Sequence, residues 1–160
     1  MIDQELRDAP VLRVPKTDLI RVVVGSAEWN AAIRRRLIAP YPARVLESVL
    51  SIEALQQTNS QPHANAQGRR SVTIVQTDRA GLESASRFAV ENSLKPIPDL
   101  LLVIGIDLGV WQRHALRCSG VAGIFKSFVE LEAIEAMVTR YFNSLPAPDW
   151  SLEQRIANSI

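Results

Sequence analysis

The chain has 160 residues, a length that suits one domain and can bury a core without disulfide or metal staples. Hydrophobic residues make up 47% and charged residues 22%, a globular rather than a disordered balance. The net charge of +1 provides no field for nucleic acid, so the basic runs at 34–36 and 69–70 read as a solvated helix face and a loop.

A single cysteine, Cys118, excludes an internal disulfide and fits a reducing cytoplasm. It lies in an apolar helical pattern and reads as a small core residue. No apolar run approaches the ~20 residues of a membrane span, and the charged N-terminus is not a signal peptide.

Residues 1–18 carry two prolines and many charges and read as an arm outside the core. "LIRVVVG" (19–25) is β-branched and ends in glycine, as a strand does. "SAEWNAAIRRRLI" (26–38) predicts a helix capped by Ser26, with Glu28 in its first turn. Trp29, Ile33 and Leu37 fall on one face. "APYP" breaks it. "ARVLESVL" (43–50) is a second strand, and "SIEALQQ" (51–57) a short capped helix. Residues 58–70 are polar and without periodicity, hence a long loop.

"SVTIVQT" (71–77) is a third strand. "AGLESASRFAVEN" (80–92) is a helix with Leu82, Ala85 and Phe88 or Ala89 inward. "DLLLVIG" (99–105) is almost wholly apolar, as a parallel strand covered on both faces should be. "DLGVWQRHALRCSG" (107–120) reads as a helix ending in glycine, and "VAGIF" (121–125) as the fifth strand. Ser127 caps a last long helix (128–145) with Leu131, Ile134, Val138, Tyr141 and Leu145 in one stripe. A tail at 146–160 has a Ser151…Gln154 capping-box spacing. Trp29, Trp111, Tyr141 and Phe142 are core candidates, and Trp150 packs the tail onto the domain.

Five strands alternating with five helices predict an α/β domain over 19–145. Its parallel sheet is doubly wound and flavodoxin-like, in the order 2-1-3-4-5, with helices on both faces. Ligands of such sheets bind beyond the carboxyl ends of the strands. That edge holds Gly25–Ser26, Gln76–Asp78, Gly105–Asp107 and Lys126–Ser127.

With "CSGVAGIFKSFVELEAI", "SIEAL" and "QTDRAGLESASRF" in this order, residues 19–144 resemble the receiver domain of bacterial two-component response regulators. The resemblance implies a fifth-strand lysine that contacts a phosphoryl group on an aspartate ending strand three. It also implies two acidic residues after strand one that hold Mg²⁺, and a hydroxyl residue after strand four. Here Gly25 and Ser26 fall on the acidic pair, Gln76 on the aspartate, and Gly105 or Ile104 on the hydroxyl position. Lys126 alone is kept. An amide is a poor nucleophile, and Mg²⁺ wants carboxylate oxygens.

The expected function is therefore a non-catalytic, degenerate receiver that signals through protein contacts, using residues 108–142, with a homodimer as one arrangement. No enzyme activity, cofactor or metal is expected. Two alternatives stay open. In one, Asp78, Glu28 and Asp107 form a shifted, phosphorylatable site around Lys126. In the other, the domain binds a small anionic ligand with Lys126 as anchor. His63 and His114 belong to no metal or nucleophile pattern, and no phosphate-cradling glycine motif occurs. The chain ends without an output domain and reads as a stand-alone module or part of a longer regulator.

Overall fold

The computed structural model describes residues 18–59 and 71–144. β1 (Asp18–Val23) leads into α1 (Ala27–Ile33), which continues as a π-helical turn over Arg34–Ile38. β2 (Arg44–Ser48), α2 (Ile52–Asn59), β3 (Ser71–Thr77), α3 (Leu82–Ser93), β4 (Leu100–Gly105) and α4 (Val110–Cys118) follow. β5 (Gly123–Phe125) precedes a 3₁₀ turn (Phe128–Glu130) and α5 (Leu131–Ser144). All strand pairs are parallel, in the order β2-β1-β3-β4-β5, as the alternation of elements predicts. Most of the 58–70 loop, the N-terminal arm and the tail with Trp150 lie outside the described residues.

The continuous apolar strands are explained by two cores, one on each face of the sheet. Ile20, Val22, Ile74, Leu102 and Ile104 face α1 and α5, where Ile33, Leu37, Ile134 and Val138 are fully buried. Their neighbours Val23, Val75, Leu101 and Val103 point the other way, onto Leu55, Phe88 and Leu116 of α2, α3 and α4. This is the strand period of two acting on a sheet with no wet face. Truncating a fully buried residue such as Ile74 or Leu102 to alanine costs roughly 2–5 kcal/mol.

The caps follow the sequence. Ser26 Oγ accepts from the Trp29 N–H, and Ser51 Oγ from the Ala54 N–H. Ser127 Oγ accepts from the Val129 N–H while Glu130 returns to the Ser127 N–H, a capping box. α4 ends as its glycine requires: Gly120 takes φ 107°, with Val121 N–H bonded to Leu116 O and Gly120 N–H to Arg117 O.

Element ends shift by a few residues, as at β5, which starts at Gly123 rather than Val121, and at α2, which runs to Asn59. Three further expectations are corrected at α4. The helix starts at Val110 rather than Asp107, because Asp107 adopts φ 52° and Gly109 is extended. Asp107 therefore precedes the helix by a left-handed turn instead of sitting at its start. Trp111 is 82% exposed and Cys118 is exposed, so neither is a core residue. The helix buries Leu116 alone, and both residues lie off that line.

Candidate functional site

The crossovers bring the ends of β1, β3, β4 and β5 to one edge, as the fold predicts. Three clefts open there among the described residues. One, about 590 Å³, is a hollow lined by Arg79, Asp107, Leu108 and Gly109; the other two hold Gln76 and Lys126. Of these two, the first, about 380 Å³, is lined by Gly25, Glu53, Gln76, Thr77 and Asp78. The second, about 800 Å³, lies between α4 and the end of β5 and includes Asp107, Arg113, Arg117 and Lys126. Ile106 lines both and stands between them.

In the first cleft the polar groups answer one another. The Ser26 N–H donates to Gln76 Oε1 at 3.1 Å, tying the loop after β1 to the penultimate residue of β3. Asp78 Oδ1 accepts the Gly81 N–H at 3.0 Å, so Asp78 is the turn residue before α3. The Glu53 carboxyl is held below its ordinary value, first by its own backbone N–H and then by the Ser51 hydroxyl. Each carboxylate is used locally, and Gln76 and Ser26 add only neutral groups. This donor set does not fit Mg²⁺, which takes carboxylate oxygens together with water and phosphate. Among the described residues no group of three His, Cys, Asp or Glu side chains could hold a metal.

The second cleft holds Lys126. Its backbone N–H donates to Glu130 Oε2 at 2.7 Å, and its side chain is solvent-exposed, with no ion pair or hydrogen bond to the ammonium among the described residues. Glu28 is exposed on α1 and lines neither cleft; Asp78 lines the first and Asp107 the second. The three carboxylates of the shifted site thus do not meet around Lys126. Trp29, from α1, stacks on Phe128 with ring centroids 4.3 Å apart and closes the region between the two helix starts.

Two residues of the second cleft were not singled out in the sequence. Arg113 and Arg117 project from one face of α4 with Val110 and His114. The i, i+4 arginine spacing was the available signal.

The α1–α5 seam carries a polar cluster that no local pattern announces. The Arg44 guanidinium is buried. It donates to Leu37 O at 3.2 Å and Thr139 Oγ1 at 2.9 Å and lies 3.5 Å over the Tyr41 ring. Glu135 accepts from Tyr41 Oη at 2.7 Å and pairs with Arg36. The cluster fixes α5 against α1 at the start of β2, the sheet end opposite the clefts, and reads as structural.

No helix among the described residues is long and apolar enough to cross a membrane. No family model matches the chain, and no curated protein is similar in sequence. Solved structures do match. One is the crystal structure of the phosphorylated cyanobacterial phytochrome response regulator RcpA, with a TM-score of 0.58 and 14% identity over 83% of this chain and 99% of that one. Together with the parallel order β2-β1-β3-β4-β5, this likeness shows the fold: a flavodoxin-like, doubly wound five-stranded sheet, the fold that RcpA also has.

Proposed function

We propose that the chain is a receiver-like regulatory module that acts through protein contacts and does not accept a phosphoryl group. The observation that carries this reading is the hydrogen bond from the Ser26 N–H to Gln76 Oε1. It supports reading Gln76, which the resemblance aligns with the carboxylate nucleophile, as a neutral amide that is already partnered. An amide nitrogen or oxygen is a weak nucleophile at neutral pH, and the carboxylates nearest to it are engaged with backbone N–H groups. Phosphoryl transfer depends on positioning and on charge neutralisation by metal, and the surrounding donors favour neither.

The contact surface of the module is the flank of α4, β5 and α5, residues 108–142. Val110, Trp111, Phe128 and Val129 are exposed there, 71%, 82%, 43% and 89% respectively. Exposed apolar side chains on successive elements of this flank favour a protein partner, and a second copy of the chain is one such partner. RcpA is a phosphorylated response regulator; this chain shares its fold, and we place it in signalling without the phosphoryl step.

Incubation with acetyl phosphate and Mg²⁺, followed by intact mass measurement, tests the reading. No mass increment of a phosphoryl group is expected. Stoichiometric, acid-stable incorporation at Asp78 or Asp107, or Mg²⁺-dependent binding of beryllofluoride, would replace it with the shifted-carboxylate site.

A further inference from the structure

We propose that the cleft between α4 and the end of β5 binds a nucleoside di- or triphosphate. This goes beyond the regulatory reading and does not depend on it. α4 turns Val110, Arg113, His114 and Arg117 toward the cleft, at the i, i+3, i+4, i+7 spacing of one helical face. This face lies away from Leu116, the residue that α4 buries, and so is free to carry charge. Here it carries two guanidinium groups, and a cleft of about 800 Å³ is left, within the roughly 300–1,000 Å³ of small-ligand sites.

Lys126, at the end of β5, lines the same cleft as the two arginines of α4. No salt bridge or side-chain hydrogen bond engages Arg113, Arg117 or the Lys126 ammonium among the described residues. Three unpaired cations in a concave site favour a ligand of several negative charges, and guanidinium groups match phosphate oxygens two at a time.

The two carboxylates of the cleft do not cancel this. Glu130 is turned onto the backbone, where Oε2 accepts the Lys126 and Ser127 N–H groups at 2.7 and 3.0 Å. The Asp107 carboxylate is exposed, at a residue with φ 52°, and has no hydrogen-bond partner among the described residues. It is an acceptor suited to a sugar hydroxyl rather than to the phosphates. Ile106 and Val110, 42% and 71% exposed, offer an apolar wall for a planar base. Cations, a free acceptor and an apolar wall within one cleft are the three chemistries of a nucleotide. A concave site of this size also favours a small molecule over an acidic peptide, which needs a longer groove.

Isothermal titration of the full chain with ADP and with inorganic pyrophosphate tests the assignment. Saturable binding of both is expected, ADP the tighter. Arg113→Gln and Arg117→Gln should each weaken both by about tenfold, the effect of losing one charge-assisted contact. Arg87→Gln, on the exposed surface of α3, should change neither. Asp107→Asn should strengthen pyrophosphate and weaken ADP relative to it, a readout that does not depend on the arginine variants folding. The proposal is overturned if neither probe binds at up to about 10 mM. It is overturned equally if the arginine variants bind like the wild type while melting normally. A glutamate-rich peptide that displaces ADP and binds more tightly would also overturn it, and would mark the cleft as a protein-docking surface.

Discussion

Replacing Lys126 with methionine distinguishes a cleft that still holds opposed charge from one that does not. The substitution keeps most of the side-chain stem and removes the ammonium. The contact that anchors this residue is its backbone N–H to Glu130 Oε2, and that bond survives the change. The ammonium is exposed, and the charged groups that line its cleft oppose one another: Asp107 and Glu130 against Arg113 and Arg117. An exposed ion pair is worth roughly 0.2–1 kcal/mol, and relief of like-charge repulsion of similar size opposes its loss. The net change should therefore be under about 0.5 kcal/mol in either direction. In a urea melt with a slope of about 1.5 kcal/mol per M, the midpoint moves by less than about 0.3 M. A fall of more than about 1.3 M, equivalent to about 2 kcal/mol, would mean that Lys126 is one half of a desolvated ion pair. The reading of the cleft as open and cationic would then be wrong.

Three further outcomes follow from the α1–α5 seam and the α4 turn. Arg44→Met should lower stability by about 2–4 kcal/mol in the same melt, because it leaves the buried Leu37 carbonyl and Thr139 hydroxyl without their charged donor. Tyr41→Phe bears on the Glu135 carboxyl, which lies below its ordinary value chiefly through the Tyr41 hydroxyl, against desolvation, with Arg36 adding to the lowering. A depressed carboxyl stabilises the fold above its unfolded pKa of about 4.3, and that contribution is lost as pH falls through the folded value. The variant should thus raise the Glu135 pKa in a carboxyl NMR titration. It should melt earlier than wild type at neutral pH and converge with it in acid; a deficit independent of pH would contradict the linkage. Gly120→Ala should cost about 1–2 kcal/mol by thermal or urea melt, since φ is 107° and the new Cβ would lie 3.3 Å from Ser93 Cβ and 3.4 Å from Ala89 O.

The sheet was legible because its strands are buried on both faces. Uninterrupted runs such as "DLLLVIG" have no other economical use in a chain of this length, and right-handed crossovers leave few orders for five of them. Helix ends with a serine cap were legible for a local reason: the cap and the N–H that it accepts lie within three residues. α4 was misread because its apolar residues do not mark its buried face. Val110 and Trp111 are exposed, Leu116 alone is buried, and the apolar letters of "VWQRHALRC" predict a core that is not there. The start of that helix was missed because Asp107 takes a left-handed conformation, which aspartate tolerates but does not advertise. Arg44 and Glu135 lie 91 positions apart in the numbering and meet only through packing of α5 on α1, so no spacing could announce them. In the candidate site, the positions of Gln76 and Lys126 followed from strand ends. The amide's bond to Ser26, and the separation of the Gln76 cleft from the Lys126 cleft by Ile106, required three dimensions.

β5 pairs with β4 through three residues only, Gly123 to Phe125, and the helix before it is pinned by Leu116. The free energy holding this flank is consequently a small part of that holding β1, β3 and β4 together. Proteins open in such units well before they unfold as a whole. The amide hydrogens of β5 and α4 should exchange with solvent through partial opening, while those of β3 wait for global unfolding. Whatever settles between α4 and β5 would bridge the part of the molecule that opens most readily to the part that opens least. Its arrival would be recorded as slowed exchange across that flank, without any change in the average structure.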